Sequence, residues 1–336
     1  MAATLDDIAK ETGLSRATVA RAIGKYGYVS KKAREKVLAA AKKLNYKPNY
    51  IAKSMVTGET KNIGLIVGDI QNPFFSTIAR AISDVIVPEG YSLIVTSTDE
   101  KVEVEKISID RFFQKQVDGL ILAPVSRSNS DHLKDLVKSE IPIVLIDRII
   151  EALDVDMIVS DDEGGGFEAA EYLLELGHRR IGFLSDTLDI STNYDRIAGY
   201  SKALSKYGIE EKQSWVKLGG FRVEGAYKSG VSLLGQNKDI TAVITTNNYM
   251  AAGLLLAAKD MGIEIPRDLS VISFDDIVWF DLCNPPITSV AQDTREIGSI
   301  AAKRIMMNIR GQRYEKGLTR LPTRLIIRES CTSPRD

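Results

Sequence analysis

Arg16, Ala17, Thr18 and Arg21 share one short helical stretch, and their types are those of duplex recognition. A guanidinium can grip the O6/N7 edge of guanine with two hydrogen bonds, and an alanine methyl can touch the methyl of thymine. Thr18 can hold a phosphate, which fixes register without reading sequence. A second set of polar residues is spread along the rest of the chain, each just after an apolar run: residues 69–75, Asp147-Arg148, Asp161-Asp162, Asn247-Asn248 and Asp275-Asp276. Carboxylates, amides and an Arg around one cleft can satisfy many hydroxyls, and Phe74 and Phe221 can stack on the apolar face of a sugar.

Other groupings imitate known chemistry. Residues 164–169 fit G-x-G-x-x-A, with Asp186 twenty residues beyond Gly166, so an NAD-dependent α/β enzyme is the alternative reading. The competing one is a glycine-rich helix start. Residues 230–237 resemble a phosphate loop but lack its Lys and Ser/Thr. His132 and His178 have no metal-like partner at close spacing, and Cys283 has no nearby His. No catalytic residue, metal or cofactor is expected.

The elements that must position the first set are short helices. Thr4 can cap a helix with Asp7 at the capping-box position, and Leu5, Ile8 and Ala9 give it an apolar face. Gly13 can stop it and Ser15 can cap the next, with Leu14 and Val19 as a hydrophobic staple. This is helix-turn-helix geometry, whose second helix enters the major groove. A third helix begins at Ser30, with Val37, Leu38, Ala41 and Leu44 as its apolar positions. Lys31 and Lys32 occupy its first turn against the helix dipole, a conflict that a phosphate would remove. Pro48 separates it from a segment of at most two turns, with Asn49 as cap and Gly58 as end. That is too short to hold as an isolated helix, so it should order only against a partner.

The charge follows the same division. Residues 1–60 hold twelve Lys/Arg and five Asp/Glu, while the remainder holds 32 and 40. A basic head on an acidic body implies that only the head meets a polyanion. Two cysteines make no disulfide framework. The N-terminus has no apolar signal core, and no apolar run is long enough to cross a bilayer. A cytoplasmic, nucleoid-associated protein with no membrane partner is expected. A transport-associated solute receptor, the third class considered, would need a signal peptide and no head.

From Asn62 onward, apolar strands alternate with helices. Strands are expected at 63–67, 93–97, 120–123, 143–146, 157–159, 181–184, 242–245 and 271–274, and helices at 75–87, 103–116, 168–176, 196–207 and 250–261. Continuous apolar strands alternating with helices form parallel sheets covered on both faces. There are too many units for one domain, so two doubly wound lobes are expected, with ligand at the carboxyl ends of the strands.

Thr-Val-Ala-Arg at 18–21, Tyr28-Val29-Ser30, and Asn45-Tyr46-Lys47-Pro48-Asn49 with Ala52 resemble the LacI/GalR (lac repressor) family. The likeness continues through Asn72-Pro73-Phe74-Phe75, residues 117–121 and 177–181, Arg196 with Gly199, Phe274-Asp275-Asp276, Pro286-Ile287-Thr288 and residues 325–329. It implies a small all-α helix-turn-helix head on a periplasmic-binding-protein-like body. The divisions it suggests are a head at 1–47, a hinge at 48–60 and a ligand-binding, dimerising body at 61–336. The lobes would be about 61–160 plus 291–320 and about 161–290 plus 321–330.

The resemblance further implies a cytoplasmic homodimer, with higher oligomers open, that binds double-stranded operator DNA under control of a small-molecule effector. A carbohydrate-operon repressor answering to a sugar or sugar acid is the expectation. Residues expected at the DNA are Thr4, Ser15, Arg16, Ala17, Thr18, Arg21, Tyr28, Ser30, Asn49, Ala52, Lys53 and Met55. In the family, paired hinge helices place a Leu wedge in the minor groove. Met55 matches that wedge, while Ala20 and Gly24 replace a usual Ser and a common Asn. The family's pocket positions match Asn72, Phe74, Arg148, Asp161, Arg196, Phe221, Asn247, Asp275 and Gln292.

Overall fold

A computed structural model describes residues 3–24, 26–46, 58–139 and 141–335. The chain divides into two compact units, 1–60 and 61–336.

The first unit holds three helices among its described residues: α1 (Leu5–Thr12), α2 (Arg16–Gly24) and α3 (Lys31–Lys43). Thr4 and Asp7 form a reciprocal capping box at α1, which ends at Gly13 with φ +67°. Ser15 caps α2 by accepting the Thr18 amide hydrogen bond at 3.2 Å, and Ser30 caps α3 by accepting that of Ala33 at 3.3 Å. Ile8, Val19, Ala22, Val37 and Ala40 are buried together, with Leu5, Leu14 and Leu44 against them. Leu38, expected to face inward, is half exposed. Val37 is buried as expected, together with Ala40, and Ala41 and Leu44 pack against them, so the inner stripe runs through 37, 40, 41 and 44 and leaves Leu38 at its edge.

Among its described residues the second unit contains two six-stranded sheets. The first is ordered β11-β5-β4-β3-β1-β2 and the second β12-β10-β9-β8-β6-β7. In the first, β1 (Asn62–Val67) pairs in parallel with β2 (Ser92–Ser97) and β3 (Gly119–Leu122). β4 (Ile143–Ile146), β5 (Asp156–Ser160) and β11 (Leu318–Leu321) continue the sheet. In the second, β6 (Ile181–Ser185) pairs with β7 (Val216–Leu218) and β8 (Ala242–Thr245). β9 (Ser270–Phe274) and β10 (Thr288–Ala291) follow in parallel, and β12 (Arg324–Ile326) closes the edge antiparallel to β10. The strands β3, β4, β5, β6, β8 and β9 are buried along their whole length; β3 and β4 read as unbroken apolar runs, while β5, β6, β8 and β9 also bury Asp, Ser or Thr at their ends or, in β9, within the strand.

Helices cover these sheets. α4 (Pro73–Ile86) packs against α12 (Thr294–Ile309) beside the first sheet, and α5 (Val102–Gln114) and α6 (Asp131–Val137) also follow its strands. The second lobe carries α7 (Asp162–Glu175) against α8 (Ser191–Lys206), α9 (Val223–Gln236) against α10 (Asn248–Asp260), and a short α11 (Val278–Leu282). The chain passes between lobes three times, at residues 160–162, 291–294 and 321–324.

The two glycine-rich imitations are helix contacts. Residues 164–166 lie inside α7. A Cβ on Gly166 would stand 2.1 Å from the Arg196 carbonyl oxygen, and one on Gly199 would stand 2.0 Å from that of Glu163. Residues 230–236 lie inside α9, where Gly230 faces Leu254 and Ala257 of α10. Gly166, Gly199 and Gly230 let neighbouring helices approach closely.

Candidate functional site

On the head, Ser15, Arg16, Ala17 and Arg21 are exposed on or just before α2, while Val19 and Ala22 turn inward. The helix therefore offers one whole face to a partner. Arg16 lies 3.6 Å from Asp6 in an ion pair open to water, a contact weak enough to be exchanged for a base edge. The Ser15 and Thr18 hydroxyls are 2.9 Å apart, so Thr18 is partly committed to the cap. The stem of Arg21 lies against Gly27. Thr4, Tyr28, Ser30, Lys31 and Lys32 are exposed, Tyr28 almost fully. Asn49, Ala52, Lys53 and Met55 lie outside the described residues.

In the body, the carboxyl ends of strands from both sheets meet at one cleft. The turn after β1 supplies Asp69 and Asn72, and the first turn of α4 supplies Phe74; the turn after β4 supplies Asp147 and Arg148; that after β8 supplies Asn247; that after β9 supplies Asp275. Arg196 enters from α8, Phe221 from the loop after β7 and Gln292 from the crossing after β10. Eight of the nine pocket residues expected from the sequence thus line one cavity.

Asp161 does not. It caps α7, its side chain accepting the Gly164 amide hydrogen bond at 3.2 Å, and it lines a separate shallow depression with Glu163 and Phe167. Its neighbour Asp162 is the carboxylate that turns toward the cleft wall, where both Nε and Nη2 of Arg196 lie 2.7 Å from its Oδ1.

Several lining residues carried no sequence signal as ligands. Asp99 and Glu100 follow β2, Asp186 follows β6, and Asn193, Arg222 and Tyr249 sit on or beside helices. Asp186 attracted notice only as part of the false dinucleotide pattern. It accepts hydrogen bonds from Asn193 and from Asn247, the latter at 3.1 Å. The strand-end rule could have found it, since it ends a buried strand as Asp147 and Asp275 do.

The guanidiniums are held by carboxylates. Arg148 donates to both oxygens of Glu100 at 2.7 Å, to the Pro124 carbonyl at 2.8 Å and to Asp147 at 3.2 Å. Arg196 donates to the Thr246 carbonyl at 2.5 Å and stacks on Phe274 at 4.2 Å. Burial weakens the charged form of Asp147 and Asp186 and pushes each up to about 6; it pushes Asp162 up to about 7 and raises Asp275. For Arg148, burial opposes the charge, but Glu100 outweighs it and the net shift is upward.

The lobes are tied across the cleft. Arg222 of the second donates to Asp69 at 3.0 Å and Asp99 at 2.7 Å of the first. Asn248 donates to Asn72 at 2.8 Å, and the Tyr249 hydroxyl to Asp69 at 3.3 Å. Ser126 donates to Asp189 at 2.5 Å, and the Ile149 amide to the Ser191 hydroxyl at 2.9 Å. This is a closed clamp, held by polar contacts that water can replace. Trp279 is 57% exposed and lines a second depression that shares Phe74, Asp275 and Gln292 with the cleft. Among the described residues no group of His, Cys, Asp and Glu is arranged to hold a metal, and no helix is long and apolar enough to cross a membrane.

A capped helix-turn-helix joined to a two-lobed clamp defines a regulator class: a duplex-binding head on a body that closes over a small molecule. The comparisons agree. Residues 4–49 match the bacterial regulatory proteins of the lacI family, and residues 170–331 match the periplasmic binding protein-like domain. The chain is 33% identical to the HTH-type transcriptional regulator DegA of Bacillus subtilis, over 99% of each chain. The Lac repressor dimer bound to operator and the anti-inducer ONPF shares its architecture, with TM-score 0.88 and 27% identity over 99% of this chain and 100% of that one. A LacI family regulator from Enterococcus faecium with bound ribose has TM-score 0.73 and 30% identity, over 82% of this chain and 100% of that one. The chain belongs to the LacI family of transcriptional regulators.

Proposed function

We propose that the protein is a homodimeric repressor that binds a pseudo-palindromic operator and answers to a sugar bound between its lobes. The observation that carries this reading is the cleft itself: acidic and amide side chains from both sheets face one cavity, with Phe74 and Phe221 in its wall. Polar groups around an aromatic-walled cleft suit a ligand with many hydroxyls and an apolar ring face. The Enterococcus relative with bound ribose supports the same class. The division of labour is a head at 1–47, a hinge at 48–60 and a body at 61–336, with lobes of about 61–160 plus 291–320 and about 161–290 plus 321–330.

At the DNA, α2 would enter the major groove with Arg16, Ala17 and Arg21 toward base edges and Thr18 toward phosphate. Lys31 and Lys32, exposed at the start of α3, support a phosphate contact there. Asn49, Ala52, Lys53 and Met55 would act at the minor groove. Dimerisation is supported by α11, which exposes Val278, Trp279 and Leu282, at 70%, 57% and 81%, on an otherwise acidic body. Such apolar surface is costly to leave in water. Lobe closure would alter the dimer and bias the hinge between ordered and disordered forms, changing operator affinity. The site of action would be the cytoplasm, where bacterial DNA lies.

The test selects a binding sequence from random duplexes with full-length protein, then titrates D-ribose and other aldoses into the complex. The expected result is a selected palindrome whose affinity shifts at least about fivefold with one aldose. Absence of any preferred duplex would remove the reading.

A further inference from the structure

The cleft's charge is out of balance, and its arginines have no charge to spare. Six carboxylates line the cavity (Asp69, Asp99, Glu100, Asp147, Asp186 and Asp275) against three guanidiniums. Each guanidinium is already matched. Arg148 is forked by Glu100, Arg196 is held by Asp162 behind the cavity wall, and Arg222 is divided between Asp69 and Asp99. Asp186 and Asp275 are left with neutral donors only: Asn193, Asn247 and the Thr187 amide for the first, Gln292 and the Asn248 amide for the second. Asp147 has only the Nε of an Arg148 that Glu100 already neutralises.

Two buried amide oxygens beside the cleft add unsatisfied acceptor capacity. Gln292 lines the cavity and points its amide nitrogen at Asp275, which fixes its oxygen on the other side. That oxygen is buried without a partner. Asn248 is 4% exposed; its nitrogen donates to an Asn72 oxygen that also accepts from the Phe74 amide, so its orientation is fixed too. Its oxygen is likewise buried and unpartnered. A buried orphan acceptor costs free energy until a donor arrives.

The geometry points to an effector that is a donor-rich polyol with no anionic group: a free aldose or its amino derivative, and not a sugar phosphate or sugar acid. This inference rests on the sugar-effector reading above and narrows it, removing the sugar-acid half of the sequence expectation. A polyol can set a separate hydroxyl against each of Asp147, Asp186 and Asp275, and an ammonium can share its three hydrogens among them. A phosphate or carboxylate would bring acceptors to acceptors and negative charge to a negative wall. No unmatched cation would receive it. Exclusion of this kind is specificity by repulsion.

The experiment uses full-length protein and calorimetric titration with matched sets: D-ribose against D-ribose 5-phosphate, and D-glucose against D-glucuronate and D-glucosamine. In every set that binds, the anionic member is expected to bind at least about 100-fold more weakly than its neutral parent, and the amino member at least as well. A second arm uses Glu100→Gln, which removes one of the two carboxylates on Arg148 and lowers the negative charge of the cavity by one. The gap between neutral and anionic members is then expected to shrink at least about tenfold, an effect that mere loosening of the cleft would not produce. An anionic member binding as tightly as its parent, or an unchanged gap in Glu100→Gln, would overturn the inference while leaving the sugar reading intact. Failure of every sugar, whatever its charge, would overturn both.

Discussion

Asp147 and Asp275 stand at matching places in the two lobes. Each follows the fourth strand of its sheet in chain order, each lines the cleft, and their φ angles are 67° and 68°. The left-handed region costs a residue with a Cβ about 1–2 kcal/mol. Four of the seven non-glycine residues with such φ among the described residues line this one cavity, with Asp99 and Glu100 the other two. Such a concentration of left-handed positions at one cleft is the pattern found at ligand sites.

That arrangement separates stability from binding. Asp147→Gly and Asp275→Gly each remove a carboxylate and relieve the backbone together. Each variant is expected to match or exceed the parent by about 1 kcal/mol in denaturant unfolding, and to lose the sugar response of the operator complex. Loss of stability with a normal response would mean the two residues serve the fold.

The clamp's outermost tie yields to salt. Arg222 is half exposed and bridges Asp69 and Asp99, so each pair contributes on the order of 0.2–1 kcal/mol to closure. Arg222→Ala should weaken sugar binding less than about tenfold, and the parent should lose affinity as ionic strength rises while the variant does so less. Equal salt dependence in both proteins would show that Arg222 does not hold the lobes together.

The buried carboxylates make stability fall as pH rises. Burial raises Asp147 and Asp186 to about 6 and Asp162 to about 7, against ordinary values near 4. The folded state therefore holds these protons more tightly than the unfolded chain. Their contribution is fully present below about pH 4 and is lost as pH rises through about 6 to 7. His178, lowered by burial, acts oppositely below about 6.5, but it is one group against three. The sugar-free protein should melt at a higher temperature at pH 6 than at pH 8. A melting point that climbs over that interval would refute the assignment.

Much of this was legible in the sequence, and the omissions have physical causes. β4 is buried on both faces as a continuous apolar run that marks its polar end, Asp147, directly, and the apolar Val271, Ile272 and Phe274 of β9 mark Asp275 in the same way despite the buried Ser273. The strands β7, β10, β11 and β12 went unseen. They are three or four residues long, and β7, β11 and β12 lie at sheet edges, where partial exposure breaks the apolar pattern. α9 was hidden by its glycines, whose low helix propensity is overruled by contact with α10. Asp161 and Asp162 are adjacent carboxylates, and only the start of α7 decides which one caps and which one meets Arg196. Glu100 and Arg222 gave no signal because each acts by pairing with residues distant in the chain.

On the DNA side, Arg16 and Thr18 should fail in different ways. Arg16 is exposed with only a weak tie to Asp6, while the Thr18 hydroxyl is anchored to the cap of its own helix. Arg16→Ala is expected to relax sequence preference at one base position and cost about 1–3 kcal/mol on the selected operator. Thr18→Ala should weaken all duplexes alike. Uniform loss from Arg16→Ala in a selection experiment would reassign that side chain to phosphate.

The contact between α7 and α8 ties the fold to the cleft most tightly. Gly166 presses on the carbonyl of Arg196, and Gly199 on that of Glu163, so the helices cannot part without moving the guanidinium that Asp162 holds. An added methyl at Gly166 meets backbone, which cannot rotate away as a side chain could. Gly166→Ala is therefore expected to destabilise the body by about 1–3 kcal/mol and also to blunt the sugar response. Gly235→Ala, on the exposed end of α9 with open space around its Cα, should be neutral or stabilising by about 0.5–1 kcal/mol. Chemical denaturation of the two variants beside the parent decides the matter. A Gly166→Ala protein with parental stability would mean that the helices are free to slide, and that Arg196 is placed by its ion pair alone.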